Sequence, residues 1–164
     1  HTGQYSQGNA ICVSGGSLII NEGMAGNLEI NNSFKGNNCI YLNNCSVSIE
    51  NTKINNQYGR GIHISSRGEN GKIELENVTF TGQMDKSALY VDSAEDIFNA
   101  ENCKFENNNI TVSNEAVVYF TNTGVKSLKN CDFSNNTCES SAHGVLYTHS
   151  SMQKVTVSGC NFIE

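Results

Sequence analysis

The sequence predicts an all-β chain wound as a right-handed, single-stranded parallel β-helix of about six coils. Three observations carry this expectation. The chain repeats every 20–29 residues, its apolar runs are too short for helices, and an Asn recurs three residues before a large apolar anchor. A repeat of this length without a helical stretch fits one coil of a solenoid. A single coil cannot bury its own apolar face, so stacked neighbours must do so.

The anchors are Phe34, Ile54, Phe80, Phe105, Phe133 and Phe162, spaced 20, 26, 25, 28 and 29 residues apart. The segments leading into them alternate apolar and polar: Val47–Ile54, Ile73–Phe80, Phe98–Phe105, Lys126–Phe133 and Val155–Phe162. A second apolar run falls between anchors, at Ala10–Val13, Cys39–Leu42, Gly61–Ile64, Ala88–Val91, Val117–Phe120 and Gly144–Tyr147. Alternation over so few residues reads as strand. A β-sandwich would need hairpin signals and gives no reason to keep the Asn. That Asn breaks the alternation where the coil must turn, and Asn tolerates left-handed backbone. Stacked from coil to coil, Asn51, Asn77, Asn102 and Asn130 are expected to form an amide ladder. Asn31 is its expected first member, and Gly159 its replacement in the last copy.

Composition bounds the rest. At 164 residues the chain, 1–164, reads as a single β-helix domain, a fragment or repeat unit of a longer solenoid. A hydrophobic share of 37% suffices for a narrow core. The net charge of −6 argues against nucleic acid as a partner. No run approaches the ~20 apolar residues of a membrane helix. Both ends read as open strand edges, which invite pairing. The expected partners are therefore further solenoid repeats or end-to-end self-association.

Several elements resemble a known family. Phe34-Lys-Gly-Asn37, Phe105-Glu-Asn-Asn108 and Phe133-Ser-Asn-Asn136 match the F-x-x-N element of polymorphic outer membrane protein (Pmp) repeats. Ile54–Gln57 and Phe80–Gln83 look like degenerate copies. The companion G-G-A element is only echoed, in Gly61-Ile62, Ser87-Ala-Leu89 and Gly144-Val145. The resemblance implies a β-helical, non-enzymatic structural or adhesive module, extracellular or on the cell surface, with glycans or surface proteins as candidate ligands. β-Helices also house polysaccharide lyases and hydrolases, which is the alternative reading. Inverting hydrolysis needs two carboxylates ~6.5–9.5 Å apart. The chain has four Asp, at 85, 92, 96 and 132, and none stands beside another. Its only arginines, Arg60 and Arg67, read as a solvated loop. No catalytic residue is assigned.

Stacking brings distant residues together. Glu50, Glu76 and Glu101 precede the ladder Asn and should form an outward row, followed by Lys129. Like charges at strand spacing repel by roughly 1 kcal/mol in water and more near a protein surface. Lys129 at the end of the row, Lys53 and Lys104 beside it, or a bound Ca²⁺ would relieve that repulsion. A screened acidic stripe with no cofactor is the first reading, and a weak Ca²⁺ site on Glu50, Glu76 and Glu101 the alternative. Cys103, Cys131 and Cys160 share one inward position and read as a column of buried thiols, with a disulfide between neighbours as the other reading. The chain has seven Cys, an odd number, and no C-x-x-C zinc signature. Tyr41, Tyr90 and Tyr119 form an outward column beside Cys12 and His63, a possible binding face or a cross-coil aromatic stack. Among the sequons, Asn44, Asn109 and Asn135 lie in expected turns and are the glycosylation candidates. Asn31 and Asn77 are expected at buried corners.

Overall fold

A computed structural model describes residues 8–24, 26–33, 38–66, 71–82, 85–93, 97–122, 124–149 and 154–163. Phe34, Asn37, Arg67, Gln83 and Asp96 lie outside these. Every strand pairing is parallel and joins successive coils. The first sheet holds Ile11–Ser14, Ile40–Asn43, Ile62–Ser66, Leu89–Ser93, Ala116–Thr121 and Gly144–Thr148. The second holds Ser17–Ile20, Ser46–Glu50, Lys72–Glu76, Ile97–Glu101, Val125–Lys129 and Lys154–Ser158. The third holds Leu28–Asn32, Thr52–Asn56, Thr79–Thr81, Lys104–Glu106, Asp132–Ser134 and Asn161–Ile163. A two-stranded pair, Asn109–Ile110 with Thr137–Cys138, adds a short fourth side.

Alternation puts one set of side chains inside on every strand. The third sheet contributes Ile30, Ile54, Phe80, Phe105, Phe133 and Phe162 in register. Its rings stack nearly parallel, with centroids 4.8, 4.7 and 4.5 Å apart from Phe80 to Phe162. Phe80 and Phe105 are fully buried, whereas Phe162 in the last coil is 52% exposed. Lys126 takes the Phe98 position in the second sheet and is also fully buried.

The corner between the second and third sheets is where the Asn repeat sits. Asn51, Asn77, Asn102 and Asn130 have φ of 46°, 53°, 55° and 52°, and Gly159 has 63°. The left-handed turn is thus the reason for the residue type. The Asn77 amide donates to Asn51 Oδ1 at 3.2 Å. Two expectations are corrected here. Asn77 is exposed, because the corner turns its side chain outward while the next residue, Val78, is buried. Asn31 is not a corner residue: it is exposed, lies within a strand and pairs with Asn55, and Ile30 rather than Phe34 anchors the first coil.

The F-x-x-N element has a different job. Asn108 and Asn136 donate to the carbonyls of Phe80 and Phe105 in the preceding coil, at 3.3 and 2.7 Å. Asn108 also donates to Asn136 Oδ1 at 2.9 Å, linking the two copies.

Candidate functional site

The outward side of the first sheet carries the expected aromatic column. Register places Cys12, Tyr41, His63, Tyr90, Tyr119 and Tyr147 in one row across six coils. Tyr147 was missed in the sequence, because aligning Gly144 with Val117 displaces it by one. In the structure Gly144 pairs with Ala116, and Tyr147 with Tyr119. Tyr90 and Tyr119 stack at 4.9 Å, and Tyr119 and Tyr147 meet at 4.7 Å. His63 stands edge-on to Tyr41 and Tyr90, at 5.1 and 5.0 Å. His143 closes the row against Tyr147 at 4.0 Å. The rings therefore spend their faces on one another, and what these partly exposed side chains present is edges and phenols. Burial pushes the Tyr90 and Tyr119 phenols up, so they stay protonated donors at neutral pH.

Arg60 is not a solvated loop residue. Its guanidinium lies 3.7 Å over the centre of the Tyr90 ring, a cation–π contact. Its Nη2 and Nε reach the two oxygens of Glu115, at 2.5 and 3.4 Å. Glu115 also accepts from the Ser87 hydroxyl and, at 3.3 Å, from the Ser87 N–H. Glu115 is the only buried carboxylate among the described residues, and both its oxygens are engaged. His63 Nδ1 lies 3.5 Å from Arg60 Nη1. Burial, then the Arg60 charge, pushes the His63 imidazole down to about 4, so it is neutral at physiological pH. Glu115 carried no repeat signal, since it lies outside the aligned runs.

The acidic row forms as expected: Glu50, Glu76, Glu101 and Lys129 are consecutive partners in the second sheet. Lys129 relieves it directly, 2.7 Å from Glu101. Glu50 accepts from the Gly23 N–H at 2.9 Å. Lys53 turns away to Glu29, at 3.3 Å. Among the described residues no three His, Cys, Asp or Glu side chains converge in a way that could hold a metal ion.

Cys103, Cys131 and Cys160 stack in the position shared with Thr52 and Val78. Cys103 and Cys131 are buried, Cys160 less so, and all seven cysteines are free thiols. The hydrogen bond with Cys131, then burial, holds Cys103 well above the usual thiol range. Asn44, Asn109 and Asn135 are exposed. Asn109, however, opens a short strand rather than a turn, and its Oδ1 accepts from Thr137 at 2.8 Å.

Parallel strands stacked coil on coil around a narrow core, with one aromatic side, define a β-helix. A family model described as "Right handed beta helix region" matches residues 9–164, and the chain belongs to that family. Neither a curated protein nor a solved structure matches it. The family holds both enzymes and non-enzymes.

Proposed function

We propose that this β-helix is a non-catalytic adhesive module, displayed outside the cell, that lays an extended neutral glycan along its tyrosine row. The observation that carries the reading is the row itself, with neighbouring rings 4.7–5.1 Å apart from Tyr41 to Tyr147. That spacing is close to the length of one extended pyranose unit. Successive sugars therefore meet the phenols of Tyr90, Tyr119 and Tyr147, and hydroxyl-to-phenol hydrogen bonds repeat across those three coils. Charge supports a neutral ligand: the chain carries −6 overall, and Arg60 is matched by Glu115. A carboxylate bound by Arg60 and Ser87 is poorly placed to move a proton, which supports binding without turnover.

The F-x-x-N elements support kinship with Pmp-like surface proteins, since Asn108 and Asn136 tie neighbouring coils together. Phe162 and Ile163 are 52% and 60% exposed, an apolar face that supports packing against a second copy. The test is titration calorimetry with linear neutral oligosaccharides of four to six units. Binding that falls at least tenfold in Tyr119→Ala, with a cooperative thermal melt that shows the fold retained, is expected. Binding indifferent to Tyr119, or release of new reducing ends or unsaturated sugars, overturns the proposal.

A further inference from the structure

We infer that a second binding site, independent of the tyrosine row, lies at the corner between the third and first sheets and takes a single neutral sugar ring. An open cleft of about 440 Å³ occupies this corner, within the range of small-ligand sites. Its lining offers the carboxamides of Asn55, Gln57 and Asn109, the Thr111 hydroxyl, the Asp85 carboxylate and the Tyr58 ring. Carboxamides donate and accept, a carboxylate only accepts, and the ring offers an apolar face. This combination suits the hydroxyls and C–H face of a pyranose. Among the described residues the lining holds one anion and no cation, which disfavours phosphates and uronates.

The walls are held before any ligand arrives. The Gly59 N–H donates to Asp85 Oδ1. The Asp85 carbonyl accepts from the N–H groups of Thr111 and Val112, at 3.2 and 3.0 Å. Asp85 Oδ2 has no protein partner among the described residues and can accept from a ligand hydroxyl. Gly82 also lines the cleft, with a φ of +108°, and a Cβ there would lie 2.6 Å from Asn55 Oδ1. Any larger residue at 82 displaces an amide of the site. The Asn109 sequon shares this wall, so a glycan on Asn109 and a sugar in the cleft exclude one another.

The test is ligand-observed NMR with methyl α-glucoside, methyl α-mannoside and methyl β-galactoside on the whole chain made without glycosylation. Saturation transfer to at least one glycoside is expected. Gln57→Ala and Tyr58→Ala, both at exposed positions, should each weaken it at least fivefold, and Tyr119→Ala should leave it unchanged. Gly82→Ala should abolish it with the thermal melt recorded alongside. The inference is overturned by no transfer to any of the three, or by transfer that survives both exposed-site variants. Amide shifts at Gly59 and Asp85 with calcium chloride alone, and none with the glycosides, would also overturn it.

Discussion

The Arg60–Glu115 pair invites a double-mutant cycle. Glu115 is 7% exposed and Arg60 20%. Removing one partner of a buried pair costs about 3–5 kcal/mol, mostly through the charge left behind. Arg60 can be partly rehydrated, which pulls Glu115→Ala toward the lower end. The Ser87 N–H and hydroxyl also lose their acceptor in that variant, adding about 1 kcal/mol. Glu115→Ala should therefore cost about 4 kcal/mol and Arg60→Ala about 3 kcal/mol. The double variant should cost less than the sum, with a coupling of about 1–2 kcal/mol. Urea unfolding at pH 7, read as midpoint and slope, gives all three values, provided the slopes agree. Salt supplies a second reading. The pair is shielded, so its coupling should largely persist in 1 M NaCl, at which the Debye length is ~3 Å. The Lys129–Glu101 pair, 54% and 42% exposed, should show a coupling near zero under the same conditions. A coupling within ~0.3 kcal/mol of zero for Arg60 and Glu115 would show that their contact contributes nothing to the fold.

Three further outcomes follow from the geometry. His63 binds its proton only near pH 4 when folded, against about 6.5 when unfolded. Stability should thus be lost as pH falls from 6.5 to 4, by roughly 2 kcal/mol after solvent screening, and His63→Phe should remove that slope in urea melts across this range. Phe105→Ala should cost about 3–5 kcal/mol, while Phe162→Ala, at 52% exposure, should cost under half as much. Equal losses in calorimetry would mean that the last coil is covered in solution. Asn77→Gly should be nearly neutral and Asn77→Ala should cost about 1–2 kcal/mol, because φ there is 53°. A costlier Gly variant would mean that the Asn77–Asn51 bond, not the backbone, governs the corner.

What the sequence revealed and what it hid divide along the coil itself. Side chains on strands obey one period, so the tyrosine, glutamate and cysteine rows could be read by alignment alone. The left-handed corner was legible because Asn and Gly are the residues that adopt it cheaply. The first coil was misread for a physical reason. Its corner loop runs from Asn21 to Asn27, while later corners need one or two residues, so the phase of the repeat slips there. Tyr147 was lost because Gly144 was aligned with Val117 rather than with its partner Ala116. Arg60 and Glu115 are 55 residues apart, in segments that lead into strands. Such segments vary in length from coil to coil, and no periodicity links them. The sugar-sized cleft is built from the same connections, and it was invisible for the same reason.

A buried ion pair is weak support for stability, since desolvation offsets most of its attraction. The Arg60–Glu115 pair is better understood through what it positions. The segment 57–60 separates the two candidate sites. Gln57 and Tyr58 line the cleft, and Arg60 stacks on Tyr90 in the aromatic row. Asp85 holds this segment through Gly59, and Glu115 holds it through Arg60. The chain thus spends a desolvated charge on fixing a connection that hydrophobic burial cannot fix, because the connection lies outside the core. It follows that Arg60→Ala should disturb both sites at once. Oligosaccharide binding on the row and glycoside binding in the cleft should each weaken, although Arg60 does not line the cleft. Substituting Tyr119 should affect the row alone. If Arg60→Ala leaves glycoside binding untouched, the cleft is held by Asp85 without help, and the two sites are mechanically separate.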